Sequence, residues 1–302
     1  KRKTLTNLTL SVRHERVEPL FRSVGVSLQA DLQSDSVDLT WGLGPFTAQL
    51  GHTRTRDNLA GIETILTTKT ERSALSLGAP LATVFGASGT TANLLPTIAV
   101  QIDQTHQAGS GLPPNSDFEP THLPDQLSTN GLASLSWQVG HFQFAVRTGK
   151  TFQDNRQVGR ERADFDTVIH ALSFGFVPSQ RLNVTFDVTR EESSSKEEGK
   201  RDRRDRYGSH VSWTMFGQTA ISGTISQSLG SNSLHSRSER GTEGFVELAS
   251  GFRLTPGPAQ KRQSRVFVRL ADRRSRSNDV LFGTRSDSQG GTVTSGVTFS
   301  LY

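Results

Sequence analysis

The chain has 302 residues, of which 33% are hydrophobic, with 34 Lys and Arg against 29 Asp and Glu, a formal net charge of +5 and no cysteine. This composition is too lean for an ordinary soluble core of this length, excludes a disulfide framework, and contains no apolar run near the ~20 residues of a membrane helix. The positive charge does not point to nucleic acid, because the arginines are interleaved with carboxylates instead of forming a basic surface with aromatic stacking positions.

The chain opens on Lys1, Arg2 and Lys3 without a methionine or an apolar leader, as in a processed or trimmed chain or a part of a longer one. From Leu5 to about Val17 the apolar residues Leu8, Leu10 and Val12 alternate with Thr9, Ser11 and Arg13, the period of two that marks a strand. A break at Glu18 and Pro19 leads to Val24, Val26, Leu28, Ala30 and Leu32, and only Gln33 and Ser34 precede Val37, Leu39, Trp41 and Leu43. Gly44 and Pro45 predict a tight turn into Phe46, Ala48 and Leu50. Four strands so closely spaced leave no room for crossover helices.

A loop around Arg56 and Gly61 precedes an expected strand from about Glu71 to Phe85, and Gly86 to Asn93 reads as a turn or a short plug-like excursion. Ile98, Val100 and Ile102 resume the alternation, and the proline-rich stretch from Thr105 to Thr129 predicts the longest irregular loop. Leu135, Trp137 and Val139 form the next strand, and a turn at Gly140 and His141 starts Phe142, Phe144 and Val146. After a polar stretch, Val168, Leu172, Phe174 and Phe176 lead through an expected turn at Pro178 and Ser179 to Leu182, Val184, Phe186 and Val188.

The segment from Arg190 to Arg206 holds seven basic and six acidic residues, so a solvated loop is expected there. Tyr207, Val211, Trp213 and Met215 follow, and Gly217 and Gln218 turn the chain into Ile221, Ile225 and Leu229. A polar loop from about Gly230 to Thr242 precedes Val246, Leu248 and Phe252, and a turn near 257 precedes Val266, Val268 and Leu270. A last polar loop, about Asp272 to Gln289, leads to Val293, Val297, Phe299 and Leu301.

This pattern, with short turns and long polar loops in alternation, resembles that of bacterial outer-membrane β-barrel proteins. The resemblance covers nearly the whole chain and rests on patterning, with no narrow family singled out. It implies an all-β fold: a transmembrane, antiparallel, up-and-down β-barrel of about sixteen strands, range about 14 to 18, with short periplasmic turns and long extracellular loops. Residues 1–302 would form one domain, with a further strand or region expected before Lys1. Tyr302 offers a terminal aromatic, but its in-phase residues Ser300, Thr298 and Gly296 depart from the apolar series usual in such barrels. Trp41, Phe46, Trp137 and Phe142 near the tight turns suit an interfacial girdle, with ordinary strand packing as the alternative. A soluble sandwich also shows alternation, but no second pattern here supplies a partner layer.

In such a barrel, Arg13, Asp31, Asp103, Arg147, Asp187, His210, Glu247 and Arg269 fall opposite the apolar series and would face the lumen, lining a water-filled pore, pairing across a packed interior or holding a plug. The function implied is an outer-membrane channel or porin passing ions or small polar solutes. The alternatives are a structural barrel anchoring or housing partners in a cell-envelope complex, and the barrel of a polysaccharide or protein export system. The expected location is the outer membrane of a Gram-negative bacterium. The expected partners are its lipid and lipopolysaccharide, with envelope proteins or a plug besides, and no nucleic acid. No zinc-helix, nucleophile-turn or P-loop motif is present, and no catalytic residue, cofactor or metal is assigned. His210 and Ser212 share a face, which suits polar lining better than a hydrolytic pair. Asp57 with Asn58, and Asp279 with Asp287, lack the spacing of a calcium loop.

Overall fold

The computed structural model describes residues 6–18, 31–63, 66–111, 123–253 and 263–299. Fourteen strands run in chain order: β1 (Thr6–Val17), β2 (Leu32–Leu43), β3 (Phe46–Asp57), β4 (Thr67–Pro80), β5 (Thr97–Ser110), β6 (Asp125–Val139), β7 (Phe142–Asn155), β8 (Phe165–Ser179), β9 (Leu182–Ser195), β10 (Lys200–Phe216), β11 (Thr219–Asn232), β12 (Arg237–Arg253), β13 (Gln263–Asp279) and β14 (Thr284–Phe299). Two single-turn helices, α1 (Leu81–Val84) and α2 (Thr90–Asn93), lie between β4 and β5. The expected strand at Val24 to Ala30, the turn near 257 and Leu301 lie outside the described residues.

The sheet order is β1 through β14, each strand beside its neighbours in sequence. The chain divides into two compact units, the first comprising Lys1–Leu135, Arg147–Val168 and Ser193–Gly199, the second Ser136–Val146, Ile169–Glu192 and Lys200–Tyr302. In the first unit β1 to β5 pair antiparallel in succession. In the second, β10 to β14 do the same, with one register shift between Thr214 and Phe216.

The turns explain why successive strands meet as hairpins. Gly140 and Gly217 take φ of 58°, a left-handed conformation that only glycine adopts without steric cost, and each opens a two-residue connection. The strands run further than their apolar residues do. The charged stretch expected to be a loop from Arg190 to Arg206 is mostly strand, interrupted only between Ser195 and Lys200. The loops expected at Gly230 to Thr242 and Asp272 to Gln289 shrink likewise to the segments between Asn232 and Arg237 and between Asp279 and Thr284. Backbone ladder bonds do not depend on side-chain polarity, and opposite charges on facing strands sustain the pairing.

The expected barrel of about sixteen strands is corrected by this topology. The sheet order ends on β1 and β14, and among the described residues no pairing joins the two. A barrel exists only where its first and last strands bond, because closure is what removes the sheet's edges. Alternation assigns two faces to each strand but carries no information on whether the terminal edges meet. No described helix is long and apolar enough to cross a membrane.

The readings built on closure fall with it. A channel or porin needs a continuous wall around its lumen, and the structural and export barrels need the same wall. The outer-membrane location was inferred from the closed barrel, so it is withdrawn too.

No conventional core replaces the missing one. Among the described residues Val17 and Ala249 are the buried apolar side chains, whereas Leu8 and Leu10 are each 63% exposed.

Candidate functional site

The apolar series on successive strands fall into register. In the first unit, Leu10, Leu39, Leu50, Leu75 and Ile102 stand opposite one another across β1 to β5, and Leu8, Trp41, Ala48, Leu77 and Val100 form the next row. Val12 with Val37 and Leu43 with Phe46 add a row on either side. Rows on one face of a strand lie ~6.8 Å apart, twice the rise per residue, so this belt is about 20 Å tall.

The belt ends in charge. Beyond Val12 and Val37, on the same face, come His14, Asp35, Arg54, Glu71 and His106, again in register. His14 Nδ1 lies 2.5 Å from Asp35 Oδ1, Arg54 Nε 3.2 Å from Glu71 Oε1, and His106 Nε2 2.8 Å from Asp125 Oδ1. The hydrogen bond from His14, then that from Gln33, lowers the Asp35 carboxyl below its ordinary value.

The second unit repeats this zoning. Trp213, Ile221, Leu248 and Val268 form one apolar row, and Val211, Gly223, Val246, Leu270 and Val293 the next. Within the same unit Trp137 stacks on Phe144 at 5.4 Å between ring centres, Phe142 on Phe176 at 5.1 Å, and Phe174 meets Phe186 at 6.4 Å. Past Val188 the same face of β9 carries Arg190, whose Nε donates to Asp205 Oδ1 at 2.8 Å. That bond holds the Asp205 carboxyl below its usual range and raises the Arg190 guanidinium.

The eight residues expected to line a lumen are placed as follows. Arg13 lies opposite the apolar series on β1 and pairs with Glu15 at 2.6 Å. Asp103 on β5 accepts from Arg72 at 2.7 Å. Arg72 shares a register row with Thr53, Ser36 and Arg13, so Arg13 and Asp103 belong to one polar face. Asp31 stands apart, just before β2 at φ 59°, where its carboxylate accepts the Leu59 N–H at 2.7 Å. Arg147 and Asp187 are both exposed, on β7 and β9 respectively.

His210, Glu247 and Arg269 come together on the polar face of the second unit. His210 Nδ1 lies 3.1 Å from Thr224 Oγ1. The adjacent row holds Ser212, Ser222, Glu247, Arg269 and Thr294. Glu247 also bonds Arg265, and the Arg269 guanidinium lies 3.8 Å from the centre of the Phe245 ring. Arg265 belongs with Arg269 to the polar phase that the alternation assigns on β13, whereas Arg72 was not singled out from sequence; its signal was its position on the polar phase of a strand already recognised.

Three of the four side chains weighed for calcium accept backbone N–H groups instead. Asp57 Oδ1 accepts the Thr68 N–H at 2.5 Å, and Asn58 Oδ1 accepts that of Ile62 at 2.7 Å. Asp279 Oδ1 accepts from Leu281 at 3.0 Å, and Asp287 faces Arg276 in the ladder. Among the described residues no group of His, Cys, Asp and Glu is arranged to hold a metal ion. His210 is bonded to Thr224 and faces it in register, and among the described residues no acid is bonded to it to orient a His210 and Ser212 pair.

No protein-family model matches the chain, and no curated protein matches it. Among solved structures, it is similar to a loop L8 deletion mutant of OmpT, an outer membrane protein of Vibrio cholerae, at 10% identity over 97% of each chain, with a TM-score of 0.42. The in-vitro folded trimer form of OmpT from the same organism gives 10% identity over 97% of each chain and a TM-score of 0.41. An anion-selective porin from Comamonas acidovorans gives 10% identity over 98% of each chain and a TM-score of 0.35. At TM-scores this low these likenesses carry no argument about this chain's fold or activity.

Proposed function

We propose that the chain is a non-catalytic, lipid-contacting sheet, whose apolar face lies against hydrocarbon while its polar face stays in water. The observation that carries this reading is the zoning of one face: registered rows of exposed apolar side chains, bounded by the ion-paired row of His14, Asp35, Arg54 and Glu71. Fully burying a leucine or valine side chain is worth about 1.5 to 3 kcal/mol, and here the chain leaves much of that burial unmade.

Lipid is favoured over a globular partner by the shape of the pattern. A protein interface concentrates its apolar anchors in a central patch ringed by polar residues. Here the belt instead continues from strand to strand at a similar height, in each unit, with charge beyond it. A hydrocarbon layer with a polar surface above it matches that banding.

Enzymatic work finds no support in the site. On the polar face Arg72 pairs with Asp103 and Arg265 with Glu247, while His210 bonds Thr224 and Arg269 lies over the Phe245 ring. The test is flotation of the refolded chain with neutral phosphatidylcholine vesicles. The chain is expected to rise with the vesicles; a chain that stays at the bottom of the gradient while retaining its β-sheet signal would refute the proposal.

A further inference from the structure

Beyond the apolar belt of the second unit, the same face carries an arginine-lined groove of about 500 Å³, whose walls include Arg203, Arg240, Arg276, Arg285 and Leu229. The register builds it from two neighbouring rows. Asp205, Leu229, Arg240, Arg276 and Asp287 form one, and Arg203, Ser231, Ser238, Asn278 and Arg285 the other.

The groove's positive charge is only partly answered. Asp205 already accepts from Arg190 at 2.8 Å and from Arg203 at 3.0 Å. Glu239, the other carboxylate in its wall, pairs with Arg237 at 2.5 Å and lies 3.8 Å from Arg204. Arg240 has a neutral partner, donating to Gln227 at 3.2 and 3.0 Å once that carboxamide turns its oxygen inward. Among the described residues, Arg276 and Arg285 form no ion pair, even though Asp287 stands opposite Arg276 in the ladder. Three guanidinium groups without a carboxylate partner, one of them bonded to a carboxamide, beside Arg203, which Asp205 already engages, make a site for a doubly charged oxyanion.

We propose that this groove binds the phosphate group of an anionic amphiphile whose hydrocarbon lies on the neighbouring apolar belt. The inference rests on the lipid-contacting reading and names the headgroup chemistry it selects. Leu229 supplies the continuity: it lies in the groove, and on the same face of β11 it follows Ile221 and Ile225 of the belt. An amphiphile with its chains on Ile221 and Ile225 would carry its headgroup toward Arg240 and Arg276. Guanidinium forks suit phosphate because two parallel N–H groups meet two oxygens of one group.

The test compares flotation on three vesicles: phosphatidylcholine alone, phosphatidylcholine with phosphatidic acid, and phosphatidylcholine with oleate at matched surface charge. The wild-type chain is expected to bind the phosphatidic acid vesicles about tenfold more tightly than the oleate vesicles, as charge-assisted hydrogen bonds of ordinary strength imply. The double variant Arg276→Gln, Arg285→Gln is expected to lose that preference while floating on phosphatidylcholine as before. Equal binding to phosphatidic acid and oleate vesicles, or a preference that survives the double substitution, overturns the proposal. Calorimetric titration with inorganic phosphate separates the sources: full affinity for the free ion, with no gain on vesicles, assigns the groove to phosphate and removes the amphiphile. A chain that binds none of the three vesicles sinks the lipid-contacting reading itself, whereas binding to phosphatidylcholine without headgroup preference sinks only the groove.

Discussion

Leu50 sits in the middle of the first unit's belt, between Leu39 and Leu75 in register, and is 48% exposed. About half of its side chain is therefore left for a partner to cover. Full burial of a leucine is worth about 1.5 to 3 kcal/mol, so hydrocarbon contact at Leu50 contributes about 1 kcal/mol. Leu50→Asp removes that contribution and brings a carboxylate to a lipid face, which costs about 2 kcal/mol more. The sum, about 3 kcal/mol, corresponds to about a hundredfold weaker vesicle partitioning. The control is Gln49→Asp, one residue away and on the opposite face, where the added charge meets water. Both variants would be refolded with phosphatidylcholine vesicles and partitioned by flotation, with circular dichroism confirming the sheet. The expected result is a large loss for Leu50→Asp and little change for Gln49→Asp. Equal losses, or no loss in either, would refute the assignment of faces.

Two further expectations concern the turns beyond the belt. Asp164, which is buried, accepts from Lys196 at 2.8 Å and from the Asn155 N–H at 3.0 Å, and these bonds, the lysine's foremost, hold its carboxyl below the ordinary 3.8. A depressed carboxyl stabilises the fold above its unfolded value and stops doing so as pH falls through the folded one. Protection against hydrogen exchange around residues 156–164, measured relative to the intrinsic rates, should therefore fall below about pH 4, and Asp164→Asn should remove that dependence. Asn232, only 5% exposed, donates to Ser236 Oγ at 2.6 Å and accepts the Arg237 N–H at 3.1 Å, closing the turn between β11 and β12. Asn232→Ala leaves buried polar groups unmet and should lower unfolding stability by about 1 to 3 kcal/mol, read from the urea midpoint; an unchanged midpoint would show that this closure is dispensable.

The period of two was legible wherever one face is apolar. Leu8, Leu10 and Val12 on β1, and Val246 and Leu248 on β12, fall on the faces their spacing implies, because side chains on a strand must alternate. The ends of the strands were not legible. Arg190 and Asp205 look solvated when read singly, yet their side chains meet across the ladder, and charges that meet are as compatible with a strand as leucines are. At the other charged stretches loop length was overestimated because backbone ladder bonds form whatever the side-chain polarity.

Closure was the least legible feature. It depends on how strand tilt and stagger accumulate over the whole sheet, a global property that no local alternation records. The expected lumen lining shows the same limit. Arg13 and Asp103 do share a polar face, and Glu247 does neighbour Arg269, but Asp31 holds a backbone N–H at the start of β2 instead. The ion-paired row at the edge of the belt escaped notice because its members lie on five different strands and align only through register.

The three tryptophans, Trp41, Trp137 and Trp213, belong to the apolar series of their strands, and Trp41 and Trp213 are 44% and 47% exposed. They report directly on what covers that face. In variants that keep one tryptophan and replace the other two by phenylalanine, fluorescence would be measured in vesicles of phosphatidylcholine brominated along its acyl chains. Contact with hydrocarbon predicts strong quenching at all three positions and protection from aqueous iodide. Free access to iodide with no quenching by the brominated chains would contradict the lipid-contacting sheet.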